Sequence, residues 1–289
     1  MLNSVIRYSG SVHGTRPFWG AKRQGLESMV RGLGCPGTFI TLSAADLHWD
    51  SLHKHMPRYN EWKVADGQRK YAISMASLKD SPHIAAYHFH FRFDTFLGHV
   101  LKPKFRITDY WYRYEWQARG STHMHGLFWV DGSPASQLTT EAMRESFAQF
   151  WGNTVTALNP APVAEGVVSA GLGNPLANTD NPPTFLTIAE IINRVQRHKC
   201  SDTYCMRRRG ISPFGALSSD KSRRFYYPRP THTAPIVTNT LNKQYWTVDG
   251  ACNDPILNNY NKTISFGWPA NHDISPCTSV HAVVNYISK

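Results

Sequence analysis

The stretch Trp111-Tyr112-Arg113-Tyr114-Glu115-Trp116-Gln117-Ala118-Arg119-Gly120-Ser121-Thr122-His123-Met124-His125-Gly126-Leu127-Phe128-Trp129 decides how this chain folds. Two aromatic-rich runs flank a short turn carrying Gly120, the pattern of a β-hairpin. Residues two apart on a strand share a face, so His123 and His125 point one way and Met124 the other. With the loop at residues 118–122, Gln117 stands opposite His123 and Glu115 opposite His125. Directly opposed residues have Cβ atoms about 5 Å apart. Two imidazoles, an amide oxygen and a carboxylate then converge on one spot, a donor set suited to a divalent cation. A bare His-x-His in a strand is more often incidental; the polar pair facing it gives this one its meaning. The inference hangs on register, because a slip of one residue sends both partners to the wrong face.

The remaining chemistry is basic. Across 289 residues there are 31 Lys and Arg against 20 Asp and Glu, a formal net charge of +11. That excess favours a polyanionic partner. It is concentrated in Arg207, Arg208 and Arg209 and again in Lys221, Arg223, Arg224 and Arg229. Aromatic residues are interleaved at Phe225, Tyr226 and Tyr227, so bases can stack on rings while cations track phosphates; single-stranded nucleic acid is the expected ligand. Hydrophobic residues make up 41% of the chain, enough for a real core. No apolar run approaches the ~20 residues of a membrane span, and the N-terminus lacks a signal-peptide pattern. Five cysteines, an odd number, argue against a disulfide framework and for a reducing compartment.

Helical spacing of Leu26, Met29, Val30 and Leu33 predicts a helix over 18–33 after a loosely held lead-in at 1–17. Thr38 to Ser43 reads as a short buried strand. Ser43-Ala44-Ala45-Asp46 fits a capping box that opens a helix running to about Met56, which makes Ser43 and Asp46 caps rather than chemical groups. A helix is expected over 81–98, with His88 and His90 facing apart. Another spans Glu141 to Trp151, its stripe of Met143, Phe147, Phe150 and Trp151 turned to the core. The chain divides into an N-terminal part (1–155) bearing the hairpin, a linker or long loop (156–185) rich in Asn, Pro and Gly, a basic Cys/His segment (186–230) and a C-terminal part (231–289).

Several segments, in order, resemble one known family. His123-Met124-His125 is similar to the His-hydrophobic-His motif of the HUH endonucleases. Glu115 to Gly120 followed closely by that motif resembles the replication-initiator domain of Helitron transposons. Phe18-Trp19, Leu26 to Val30 and Gly37 to Trp49 are similar to the family's N-terminal block and first strand. Asn258 to Asn261, Ala270 to Ile274 and Asn285 to Lys289 are similar to later blocks, so the resemblance covers about residues 15 to 289.

That resemblance implies an α+β fold with a central antiparallel sheet, flanking helices and the two histidines on a central strand, to which the basic Cys/His segment is an insertion. It implies Mg²⁺ or Mn²⁺ at His123 and His125, with Gln117 as third ligand and Glu115 as runner-up, although imidazoles alone would suggest a transition metal. It implies Tyr286 as nucleophile, assisted at the phosphate by Lys289, and the ends of a transposon as the single-stranded DNA substrate. Tyrosine ionises near ~10, so a cation or basic group must favour the phenolate. The family's second tyrosine would fall just past Lys289, and its helicase is not in this sequence. A single cleavage leaving a 5′-phosphotyrosine is therefore the expected chemistry; the alternative is a catalytically inactive, truncated DNA-binding remnant. A fuller copy acting in trans and a nuclear location complete what the resemblance implies. A second metal set, His198, Cys200 and Cys205, has three soft donors where a structural zinc needs four. The family's further cysteine is replaced here by Ser222 or Arg223, which leaves a basic loop with free thiols as the simpler expectation.

Overall fold

The computed structural model describes residues 10–116, 121–162, 187–198, 205–208, 221–223, 227–239 and 246–279, with 206–208 and 221–223 described as backbone. Helix α1 (Arg16–Leu33) begins two residues before its predicted start because Thr15 caps it. The Thr15 Oγ1 accepts the Phe18 amide at 3.3 Å, Pro17 occupies the first turn, and Gly34 ends the helix at φ 80°. Strand β1 (Thr38–Ser43) matches its predicted span.

The predicted helix from Ser43 to Met56 does not form. The Ser43 amide donates to the Asn271 carbonyl at 2.9 Å and the Ala44 amide to the Thr122 carbonyl at 3.0 Å, so the sheet ladder claims the would-be cap. Only α2 (Asp50–His53) is helical there, with Trp49 at the N-cap position and no side-chain cap. Next come α3 (Tyr59–Val64), α4 (Gly67–Asp80) and α5 (Pro82–Phe96), which passes through a π-turn (Leu97–Leu101) into α6 (Lys102–Phe105). The hairpin follows as β2 (Ile107–Trp116) and β3 (Thr122–Val130), then α7 (Glu141–Gly152) and α8 (Ile188–Val195). Short ladders β4 (Met206–Arg208) with β5 (Lys221–Arg223), and β6 (Ile236–Thr238) with β7 (Thr247–Asp249), precede α9 (Lys262–Gly267) and β8 (His272–Pro276).

The architecture is α+β. A four-stranded sheet runs in the order β2-β3-β1-β8 with every neighbouring pair antiparallel, which puts the histidine strand β3 in the interior. One face carries Ile40, Leu42, Met124, Phe128 and Ile274, packed against Phe89 and Phe93 of α5, Phe147 and Trp151 of α7, and Ile264 and Trp268 at α9. Burying each such side chain contributes roughly 1.5–3 kcal/mol. Gly126 lies on this face, where an added Cβ would stand 2.7 Å from the Phe128 ring.

The opposite face is divided. One end is apolar: Leu127, Trp129, Cys277 and Phe39 pack under Leu26 and Val30 of α1. The other end carries the polar residues of the hairpin. Beyond the sheet, Thr156 bridges to Tyr260 and Ala157 to Cys252, so these residues of the expected linker are part of the fold, and Asn159 is buried; residues 163–186 lie outside the described ones. The Asn261 Oδ1 caps α9 by accepting the Ile264 amide at 3.1 Å.

Candidate metal and phosphate site

The hairpin register differs from the expected one by two residues. Glu115 pairs with His123 and Arg113 with His125, and Trp116 faces Thr122. A two-residue shift keeps every side chain on its face, so the histidines still share a face with Glu115, but Gln117 is not the partner of His123. Trp116 and Thr122 are the last paired residues among the described ones. Gln117 itself lies outside the described residues.

Strand β1 supplies what the hairpin lacks. Thr41 pairs with His125 and Ser43 with His123. The Thr41 Oγ1 lies 2.9 Å from His125 Nδ1, and the Ser43 Oγ lies 3.3 Å from His123 Nδ1. A hydroxyl can donate or accept, so each can serve either imidazole tautomer. Backing the Nδ1 atoms in this way fixes the rings and directs Nε2 outward, as in metal-binding histidines. The two imidazole centroids are 6.3 Å apart with planes 23° from parallel. Phe39 stacks on His125 at 6.0 Å and 4°. Ser43 is thus a supporting group of the site and not a helix cap. Asp46 is not a cap either; it accepts from the Ser121 Oγ at 2.9 Å at the mouth of the hairpin.

Glu115 reaches diagonally to His125, its Oε2 standing 3.2 Å from Nε2, and Arg113 lies 3.5 Å from the same oxygen. Burial pushes the His125 pKa down; the Glu115 carboxylate opposes that shift, while His123 and Arg113 add to it. The ring is therefore held neutral near pH 7, the form that binds metal. Two imidazoles with hydroxyl-backed Nδ1 atoms, beside a carboxylate, are a fitting donor chemistry for a divalent cation. Among the described residues no group of three His, Cys, Asp or Glu side chains is gathered closely enough to hold a metal by itself. Arg113 is a site residue that the sequence reading missed; its alternation with Trp111 and Glu115 on one strand was the available signal.

The other expected residues distribute as follows. His198 Nε2 stands 3.3 Å from Cys205 Sγ, which brings two of the three expected soft donors together; Cys200 lies outside the described residues. The His198 ring also stacks on Tyr227 at 4.4 Å. Arg207 and Arg208 on β4 run antiparallel to Arg223 on β5, with Arg208 opposite Lys221. Arg209, Arg224, Tyr286 and Lys289 lie outside the described residues. Arg229 is engaged within the fold: it donates to Asp249 at 3.3 Å, to the Asn259 Oδ1 at 3.1 Å and to the Leu257 carbonyl at 2.6 Å. No helix among the described residues is long and apolar enough to cross a membrane.

Residues 1–128 match the family described as the Helitron helicase-like domain at N-terminus. The match takes in β1, β2 and the His123-Met124-His125 segment of β3, while α7 to β8 lie beyond it. No curated protein matches the chain.

Proposed function

We propose that this Helitron helicase-like domain is a metal-dependent nuclease that nicks and joins single-stranded DNA through a tyrosine, in the manner of a rolling-circle transposition initiator. The observation that carries the reading is the pair His123 and His125 on an interior strand, each backed at Nδ1 by a hydroxyl of β1. His123 and His125 would hold a Mg²⁺ or Mn²⁺ ion, with Gln117 as third ligand and Glu115 as the runner-up. The cation would polarise the scissile phosphate and ease the build-up of charge at phosphorus. Two neutral imidazoles and an amide leave most of the metal's charge to the phosphate, and Arg113 adds a further cation beside it.

Tyr286 would be the nucleophile. Its phenol oxygen bonds to phosphorus while the bond to the 3′ oxygen breaks; the proton leaves the phenol and the freed 3′ hydroxyl takes one up, giving a 5′-phosphotyrosine. Ser279, the last described residue, lies seven positions earlier, which allows at most about 25 Å of extended chain. Lys289 would assist at the phosphate. The net charge of +11 supplies the long-range attraction to the strand, and the Arg207–Arg209 and Arg223–Arg224 clusters are the proposed tracks for the backbone. The antiparallel sheet with both histidines on an interior strand supports assignment to the HUH endonuclease class, and a nuclear site of action is proposed with it.

The test is incubation of the protein with labelled single-stranded DNA and Mn²⁺. A denaturant-resistant protein–DNA adduct that disappears in Tyr286→Phe, with DNA binding retained, is the expected result. An adduct that persists in that variant, or none at all from the unaltered protein, contradicts the reading.

A further inference from the structure

A cavity of about 500 Å³ opens beside the histidine pair, on its β8 side. Phe39 and Thr41 form its near wall, and both also touch His125. Its far wall carries Asp273, which pairs with Thr41 across the β1–β8 ladder, together with Trp246, Asp249 and Asn259. Its size is that of a small-molecule pocket, with an aromatic flank and a few convergent polar groups. His125, Thr41 and Asp273 stand on three successive strands, so the far wall lies two strand spacings, roughly 10 Å, from the imidazole. A single nucleotide spans that distance from its phosphate to the edge of its base.

The polar groups are held in fixed directions. Arg229 donates to the Oδ1 of Asp249 and to the Oδ1 of Asn259. The clamp turns the Asn259 amide donor and the second Asp249 oxygen away from the guanidinium. Arg144 sits over the Trp246 ring at 4.8 Å. A donor beside carboxylate acceptors complements the Watson–Crick edge of guanine, where O6 accepts and N1–H and N2–H donate. Cytosine and thymine each match at only two of the three positions, cytosine setting its N3 acceptor against the carboxylate and thymine its O2. Unpaired bases read in this way are recognised on their edges and stacked on aromatic rings.

We propose that this cavity is a nucleobase pocket that takes one unpaired guanine next to the phosphate bound at His123 and His125. The inference rests on the nucleic-acid reading above and adds the base specificity of that same site.

The experiment measures anisotropy of labelled oligothymidylates about a dozen nucleotides long, with one central thymidine replaced by guanosine or by cytidine. Guanosine is expected to tighten binding about tenfold over cytidine, the discrimination of one good bidentate contact. Asp249→Asn, in a variant that melts like the parent, should erase the preference for guanosine over cytidine. As a variant-free check, guanosine monophosphate should displace the oligonucleotide at lower concentration than cytidine monophosphate. Equal, salt-sensitive binding of all three oligonucleotides overturns the pocket and leaves the nucleic-acid reading intact. Absence of binding to any of them overturns both. A preference that survives Asp249→Asn, in a variant that melts like the parent, also overturns the assignment.

Discussion

Thr41 Oγ1 stands 2.9 Å from His125 Nδ1, on a strand whose sequence lies more than eighty residues upstream of the imidazole. This hydroxyl, with Ser43 beside His123, holds the imidazole in orientation from the Nδ1 side. Replacing Thr41 with Val keeps the shape of the side chain and removes the hydroxyl. We expect Mn²⁺ affinity to fall 10–100-fold with little change in the fold, measured by calorimetric titration alongside circular dichroism. Unchanged affinity would mean that Thr41 does not support the ligand.

His272 predicts the pH dependence of stability. Burial holds its pKa down at about 4, against 6.5 for the ordinary group, with only the Ala270 carbonyl working the other way. It lies against the Gln196 side chain and accepts from or donates to it at the sheet end. The folded protein keeps this ring neutral while the unfolded chain protonates it below 6.5. The stabilisation is therefore complete above about pH 6.5 and is lost as the pH falls toward 4, by up to about 3 kcal/mol. Urea unfolding at a series of pH values checks this, and His272→Gln should flatten the acid limb.

Asp254 is the buried anion that anchors the segment after β7. It accepts from Arg197 Nε at 2.9 Å and from Asn159 Nδ2 at 3.0 Å, and both charged side chains are less than 10% exposed. Asp254→Ala removes the carboxylate that pairs with the guanidinium in a buried site. The expected loss is about 3–5 kcal/mol, read as a fall in the unfolding midpoint. A loss below about 1 kcal/mol would show that water reaches Arg197.

Gly126 tests the packing under the histidine strand. A methyl group there meets the Phe128 ring at 2.7 Å and the Met124 sulfur at 3.0 Å, and neither can retreat from the core easily. Gly126→Ala should cost about 1–3 kcal/mol in chemical denaturation.

Local patterns predicted the local features. The alternation in residues 111–129 revealed the hairpin and the shared face of His123 and His125, and Thr38 to Ser43 was recognisable by its apolar run between turn residues. The facing partners were not recognisable, because the loop sets the register and a shift of two positions gives the same alternation. Arg113 was missed and Gln117 named for that one reason. Thr41, Ser43 and Asp273 reach the site through strand pairings separated by eighty to more than two hundred residues, which no spacing encodes. Ser43 shows the competition directly: its neighbourhood carries a helix-capping pattern, but its amide and hydroxyl are drawn into the sheet and the His123 contact.

The central claim is that His123 and His125 hold a divalent cation. Titration of the protein with Mn²⁺, followed by loss of the free-ion electron paramagnetic resonance signal, tests it without any DNA or turnover. One ion bound per chain, lost in His123→Ala and in His125→Ala while both variants remain folded, is the predicted result. Binding that is absent from the unaltered protein, or undiminished in both variants, would contradict it.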